Sequence, residues 1–251
     1  MKIGFIGIGN IATCMIEGFC GLGTEHDFFL SPRNAEKSAE LSAKYPNVEV
    51  CQSNQHVVDA SDIVFLTMNT PDCVKVIKNL NFRGDQHIIN VIATTPPEDV
   101  REAAGPVGSF SQIIPLPSVR LRYGPIAAYP ESPLLSRLLT PLGTVVFVEA
   151  LGDIRTMQAL TSTIAAFYDT MHHLTVFAEG EGLAKEQSIP LLSSFFASLC
   201  QNMLEADFDE LMGEMTPGGL NEMALSTLRS QGVTKAWADA LVSVLERVKK
   251  V

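Results

Sequence analysis

Near the N-terminus, Gly7-Ile8-Gly9 separates an apolar run, Lys2–Ile6, from a helical pattern, and Ala12 adds a third small residue at helical distance. Gly7 suits a tight strand-to-helix turn. Gly9 has no Cβ, so backbone amides there can approach an anion, with the positive end of a helix behind them. Strand, glycine turn and helix in that order are what the pyrophosphate of a dinucleotide requires. Gly7, Ile8, Gly9, Asn10, Ile11 and Ala12 therefore form a candidate cofactor turn. About twenty residues further on, an NAD site offers a carboxylate to the ribose hydroxyls. Here the second apolar run, Phe28–Leu30, ends in Ser31-Pro32-Arg33. A hydroxyl and a planar cation suit a 2′-phosphate instead. The expected cofactor is NADP, with NADPH preferred to NADH. A purely structural turn and a solvated arginine are the plainer alternatives.

A second group of polar residues lies on a helical pattern. Tyr168 and His172 are spaced i, i+4 and share a face. His172 and His173 point about 100° apart on a helix, so both cannot face one substrate. Tyr168 could supply a proton to a developing alkoxide, although hydride transfer to an iminium needs little beyond alignment. Packed or interface residues would look the same.

The elements that must position these groups change character part-way along the chain. Strand patterns at Lys2–Ile6, Phe28–Leu30, Val48–Cys51, Asp62–Met68, His87–Ile92, Phe110–Ile114, Gly124–Ala128 and Val145–Glu149 alternate with helical patterns. The helical ones are Ile11–Cys20, Ala35–Lys44, His56–Ala60, Val74–Leu80, Pro97–Ala104 and Leu134–Leu139. Such alternation predicts a parallel sheet with helices on its faces. After Gly152 the strand patterns stop. Helices are expected at Ile154–Phe177, Ala184–Glu205, Asp207–Met212, Leu220–Gln231 and Thr234–Lys250, with Asp153 and Thr234 as caps. The fold class expected is α/β, with a Rossmann-type domain over 1–152 and an all-helical domain over 153–251. The helices from Ile154 to Met203 are apolar over much of their circumference. A domain of about 100 residues cannot hide all of that surface, which points to a subunit interface and a homodimer or higher homo-oligomer.

Composition sets the outer limits. The chain has 251 residues, is 46% hydrophobic and carries a formal net charge of −10, which argues against a nucleic-acid partner. The five cysteines form no C-x-x-C pair, so neither a disulfide framework nor a metal site is expected. Buried, reduced thiols fit a cytoplasmic protein. No apolar stretch reaches the ~20 residues that span a bilayer, and no signal peptide is evident.

The whole chain resembles the pyrroline-5-carboxylate reductase family. The resemblance rests on Gly7-Ile8-Gly9-Asn10-Ile11-Ala12, on Ser31-Pro32-Arg33, and above all on Thr216-Pro217-Gly218-Gly219, followed by a helix and Gln231-Gly232-Val233. It implies NADPH-dependent reduction of a small cyclic imine carboxylate, as in proline biosynthesis, by interlocked subunits. It also implies that Asn54 lies near the adenosine. The substrate carboxylate would sit at Thr216, Gly218, Gly219 and Asn221, where a helix N-terminus provides amides and a positive dipole end.

The departures from the family pattern cluster near the chemistry. Where the family has Val-Lys-Pro-Gln beside the cofactor, this chain has Met68-Asn69-Thr70-Pro71. Met-Pro-Asn-Thr-Pro becomes Ile114-Pro115-Leu116-Pro117-Ser118, and the two threonines after Pro-Gly-Gly become Leu220 and Asn221. Related imine reductases carry Asp or Tyr at the place of Tyr168, which makes Tyr168 and Asn221 the candidate catalytic residues. Altered polar groups can redirect specificity. Three readings stand: a divergent pyrroline-5-carboxylate reductase, a reductase of another imine or of a keto or hydroxy acid, and a non-catalytic NADP-binding regulator.

Overall fold

The structure is a computed structural model, and it describes residues 1–249. Residues group into two compact units, one built from Met1–Gln158 and the residues from Arg247 onward, the other from Ala159–Glu246.

The first unit is an eight-stranded sheet in the order β3-β2-β1-β4-β5-β6-β7-β8. Its strands are β1 (Lys2–Ile6), β2 (Asp27–Leu30), β3 (Val48–Val50), β4 (Ile63–Leu66), β5 (His87–Asn90), β6 (Ser109–Pro115), β7 (Pro125–Tyr129) and β8 (Thr144–Phe147). Helices α1 (Asn10–Cys20), α2 (Ala35–Lys44), α3 (Asn54–Ala60), α4 (Cys73–Lys78), α5 (Pro97–Ala104) and α6 (Pro133–Leu139) connect them. The first six strands are parallel. The sheet is not parallel throughout: β7 runs antiparallel to β6, with Gln112 opposite Tyr129, and β8 follows β7. Strand direction depends on how the connection returns, which local patterning does not encode.

The apolar runs of β1, β4 and β5 are continuous because both faces of the sheet are covered. On one face Ile3, Phe5, Phe28 and Phe65 pack with α1 residues Met15 and Phe19. The Phe5 and Phe65 rings stack with centroids 4.7 Å apart. On the other face Ile6, Val64, Leu66 and Ile88 meet Val57, Ile77 and Val100 from α3, α4 and α5.

In place of one helix over Ile154–Phe177 there are two, α7 (Asp153–Thr161) and α8 (Ile164–Gly180). The break falls at Ser162-Thr163. The Ser162 hydroxyl donates to the Ala159 carbonyl at 2.6 Å and the Thr163 hydroxyl to that of Leu160 at 2.7 Å, taking acceptors that the helix ladder needs. Asp153 is the first helical residue of α7, and its carboxylate accepts the Ala150 N–H at 3.1 Å. Within the first unit, the Arg155 guanidinium lies 3.5 Å from the Glu98 carboxylate.

The second unit holds α8, α9 (Lys185–Asn202), α10 (Phe208–Gly213), α11 (Leu220–Ser230) and most of α12 (Val233–Lys249). The expected cap at Thr234 is not formed. Helix α12 begins one residue earlier, after Gly232 at φ +77°, a turn that glycine makes without strain. The buried residues of α8 and α9 are Thr175 and Ser188, while Phe177, Leu191 and Phe195 stay more than half exposed. Cys200 is exposed too, in contrast to the buried Cys14, Cys51 and Cys73, and all five thiols are free. Among the described residues no helix is long and apolar enough to cross a membrane.

Candidate nucleotide-binding site

Strand β1 has β2 on one side and β4 on the other, so the chain leaves it in opposite directions at that point. Such a switch point opens a crevice at the carboxyl ends of the strands. A cavity of about 640 Å³ lies there, of the size that holds a small-molecule cofactor. Gly7, Ile8, Gly9, Ser31, Arg33, Asn54, Met68, Asn69 and Thr70 all line it. Asn10, Ile11 and Ala12 are not in its lining. Asn10 and Ile11 open α1, and Ala12 is fully buried in the core beneath it.

Two glycines in the turn do different work. Gly7 has φ +101°, and a Cβ on it would come within 2.8 Å of the Met68 backbone, so the fold itself requires glycine. Gly9 is the N-cap of α1 at φ −99°, which any residue adopts, and a Cβ there would meet nothing within 4 Å. Nothing in the chain needs glycine at position 9. The space that a Cβ would fill belongs to the cavity, and no side chain caps α1. An open space at an uncapped helix N-terminus fits a pyrophosphate.

Neighbouring loops hold the turn in place. Ser31 is buried, and its Oγ accepts the Gly7 N–H at 2.9 Å. Asn34 donates from Nδ2 to the Ile8 carbonyl at 2.9 Å, and its Oδ1 accepts the Lys37 N–H at 3.4 Å as the cap of α2. Thr67 donates from Oγ1 to the Gly7 carbonyl at 2.7 Å. The cradle is therefore shaped before any ligand arrives. Asn34 and Thr67 were not singled out from the sequence. The signal for Asn34 was its place as a cap-forming residue just before a helical pattern; Thr67 carried none.

Charge around the cavity is mixed. Arg33 is exposed on its rim, where a 2′-phosphate would need a cation. Glu36, in the first turn of α2, lines the same cavity and opposes an anion.

The groups expected to act on a substrate all lie in the second unit and are not drawn together. Tyr168 is 67% exposed beside Phe167. Asn221 lines a cavity of about 320 Å³ with Asn202, Met203 and Met215, and Tyr168 is not in that lining. His173 donates from Nδ1 to the Asp169 carbonyl oxygen, 2.9 Å away, while His172 is exposed. The Pro217-Gly218-Gly219 amides are less free than the sequence suggests. The Gly218 N–H donates to the Glu222 carboxylate at 2.5 Å and the Gly219 N–H to the Thr216 carbonyl at 2.9 Å. Gly219 remains the N-cap of α11 without a side-chain capping bond.

Both parts of the chain match known families. Residues 2–105 match the family described as NADP oxidoreductase, coenzyme F420-dependent, and residues 152–251 match the pyrroline-5-carboxylate reductase dimerisation family. Over its whole length the chain is similar to proteins named pyrroline-5-carboxylate reductase. Pyrroline-5-carboxylate reductase 2 of Bacillus subtilis is 25% identical over 267 residues, which cover 99% of this chain and 93% of that protein. The solved 1-pyrroline-5-carboxylate reductase of Streptococcus pyogenes superimposes with a TM-score of 0.84 at 23% identity, over 100% of this chain and 99% of the other. The Plasmodium falciparum pyrroline carboxylate reductase, solved with NADP bound, gives 0.84 at 15% identity, over 100% and 97%. The Rossmann-type domain followed by helices is thus the arrangement of this group, and the oxidoreductase reading of the glycine turn agrees with both matches.

Proposed function

We propose that this protein is an NADPH-dependent reductase of a small cyclic imine carboxylate, of the pyrroline-5-carboxylate reductase type, that works as a homodimer or higher homo-oligomer. One observation carries the cofactor half of the reading. Gly9 leaves open space at an uncapped helix start, inside a turn braced by Ser31, Asn34 and Thr67. When bound, a reduced nicotinamide supplies the hydride. The protein's part is to hold the pyrophosphate at the turn, to set Arg33 and the Ser31 hydroxyl toward a 2′-phosphate, and to keep Asn54 at the adenosine end. Helix α11 would offer its positive end to the substrate carboxylate, with Thr216 and Asn221 as side-chain donors and Tyr168 as proton donor. The exposed apolar faces of α8 and α9 would be covered by a second copy, in keeping with the dimerisation-family match.

A second reading draws on the substrate half. The Glu222 carboxylate already takes the Gly218 amide, which suits a reductase of a different imine or of a keto acid. NADPH oxidation with pyrroline-5-carboxylate, alongside a panel of cyclic imines and keto acids, separates the readings. Turnover of pyrroline-5-carboxylate with a KM raised severalfold in Asn221→Ala, at unchanged NADPH affinity, supports the first. Turnover confined to other substrates supports the second. Tight NADPH binding with no turnover across the panel would leave only a regulatory nucleotide-binding role.

A further inference from the structure

The end of β3, the residue that follows it and the first turn of α3 bring together three side chains that the nucleotide site does not use. Glu49 lies in β3, and Cys51 follows directly after the strand's last residue, Val50. His56 follows in the first turn of α3, where its backbone N–H donates to Ser53 Oγ at 3.1 Å. The backbone of Cys51 is fixed by its N–H bond to the Leu30 carbonyl, 2.9 Å. A Glu49 carboxylate oxygen, Cys51 Sγ and a His56 ring nitrogen all lie within 4.8 Å of one another. The thiol is 2% exposed, while the other two residues reach solvent.

Among the described residues, none of these three side chains makes a hydrogen bond or an ion pair. Cys51 is buried, and its thiol has no acceptor. A buried group without a partner, beside two free donors of different chemistry, is the pattern that a bound ion resolves.

We infer that Glu49, Cys51 and His56 bind one divalent transition-metal ion of the zinc class through a carboxylate oxygen, a thiolate and an imidazole nitrogen. The donor set selects the metal: sulfur and imidazole suit zinc and its neighbours, whereas magnesium and calcium take oxygen. The charges close as well, since a thiolate and a carboxylate neutralise a dication. On binding, the Sγ–H bond breaks, its proton leaves to solvent, and an Sγ–metal bond forms with no change of oxidation state. Three protein ligands leave a fourth position for water. The zinc-class bond lengths of about 2.0–2.3 Å draw the donors closer together. Glu49 and His56 are exposed and can make that adjustment by rotation, while the Cys51 backbone stays tied to the Leu30 carbonyl.

Cobalt(II) titration of chelator-stripped, full-length protein tests this, followed by zinc. The expected result is one equivalent bound, a thiolate-to-cobalt charge-transfer band, and displacement of that band by zinc. Cys51→Ser should lose the band, and Cys73→Ser should keep it. A band that survives in Cys51→Ser, or no one-equivalent binding in the wild type, overturns the assignment. If Cys51→Ser does not fold, the exposed variants Glu49→Gln and His56→Gln decide: each should weaken cobalt binding and shift the ligand-field bands. Unchanged spectra in both would equally reject the site.

Discussion

The nucleotide cavity and the helical unit differ in how far one copy of the chain completes them. Around the cavity, polar side chains are spent on one another. Ser31, Asn34 and Thr67 hold three backbone groups of the Gly7–Gly9 turn before a ligand is present. In the helical unit, α8 and α9 bury Thr175 and Ser188 and leave Phe177 and Phe195 exposed, and Tyr168 does not line the Asn221 cavity. A site whose parts brace each other can form within one subunit. One whose apolar surface is uncovered depends on something else to finish it. Within one copy of the chain the nucleotide cavity is thus preorganised, whereas the helical unit leaves apolar surface uncovered.

The largest effect should come from the uncovered face. Phe195→Asp places a charge on α9 at a position that is 52% exposed in the single chain. Sedimentation should show it as a monomer at concentrations where the wild type is oligomeric, with activity lost and NADPH binding kept. A fully active, monomeric wild type would end the contrast between the units. The next concerns the cradle. Gly9→Val should weaken NADPH binding about a hundredfold, roughly 3 kcal/mol, with no loss of melting temperature, because a Cβ there meets only open space. Gly7→Ala, by contrast, should destabilise the fold by about 1–3 kcal/mol, since it strains a left-handed turn against Met68. Calorimetry and thermal melts on the pair separate a ligand's requirement from the fold's.

Arg33→Ala sharpens the same half. Losing a charge-assisted bond to a 2′-phosphate costs about 1.5–3 kcal/mol, so NADPH affinity should fall and NADH affinity should hardly move. Equal affinity of the wild type for the two cofactors would remove Arg33 from that role. The smallest effect is one of pH. His87 lies buried in β5 between Ser109 and Ser111, and burial holds its imidazole below the ordinary 6.5. As pH falls below 6.5, the unfolded chain gains a proton that the folded one refuses, so stability is full above that value and declines beneath it. Urea midpoints at about pH 7.5 and pH 5.5 should differ in that direction, and His87→Gln should flatten part of the slope.

Much of the first unit was legible because its signals are local. Continuous apolar runs mark strands covered on both faces, and the glycine turn sits where strand gives way to helix. The reversal at β7 was not legible, since direction is a property of the connection. The break at Ser162-Thr163 was hidden because apolar spacing continues across it, and what ends α7 is two hydroxyls competing for carbonyls. At the candidate site, the residues that line the cavity after β1 and β2 could be read from motif spacing, while Met68, Asn69 and Thr70 after β4 came only from the family resemblance. Asn34 and Thr67 could not be assigned from spacing, because their bonds span 26 and 60 residues. The substrate half was harder still. Its amides look free in sequence, yet Glu222 reaches back four residues to take one of them.

If Ser31 meets the nucleotide as proposed, the bond from the Gly7 amide to its Oγ ties cofactor choice to foldability. Under the proposed function Ser31 would face two tasks at once, bracing the turn and meeting the ribose end of the nucleotide, whereas Arg33 stands on the rim with no such tie. Redesign or drift toward NADH can therefore proceed readily through position 33. At position 31 it has to pass through replacements that still accept the Gly7 proton, which leaves few routes open and makes serine there slow to be replaced.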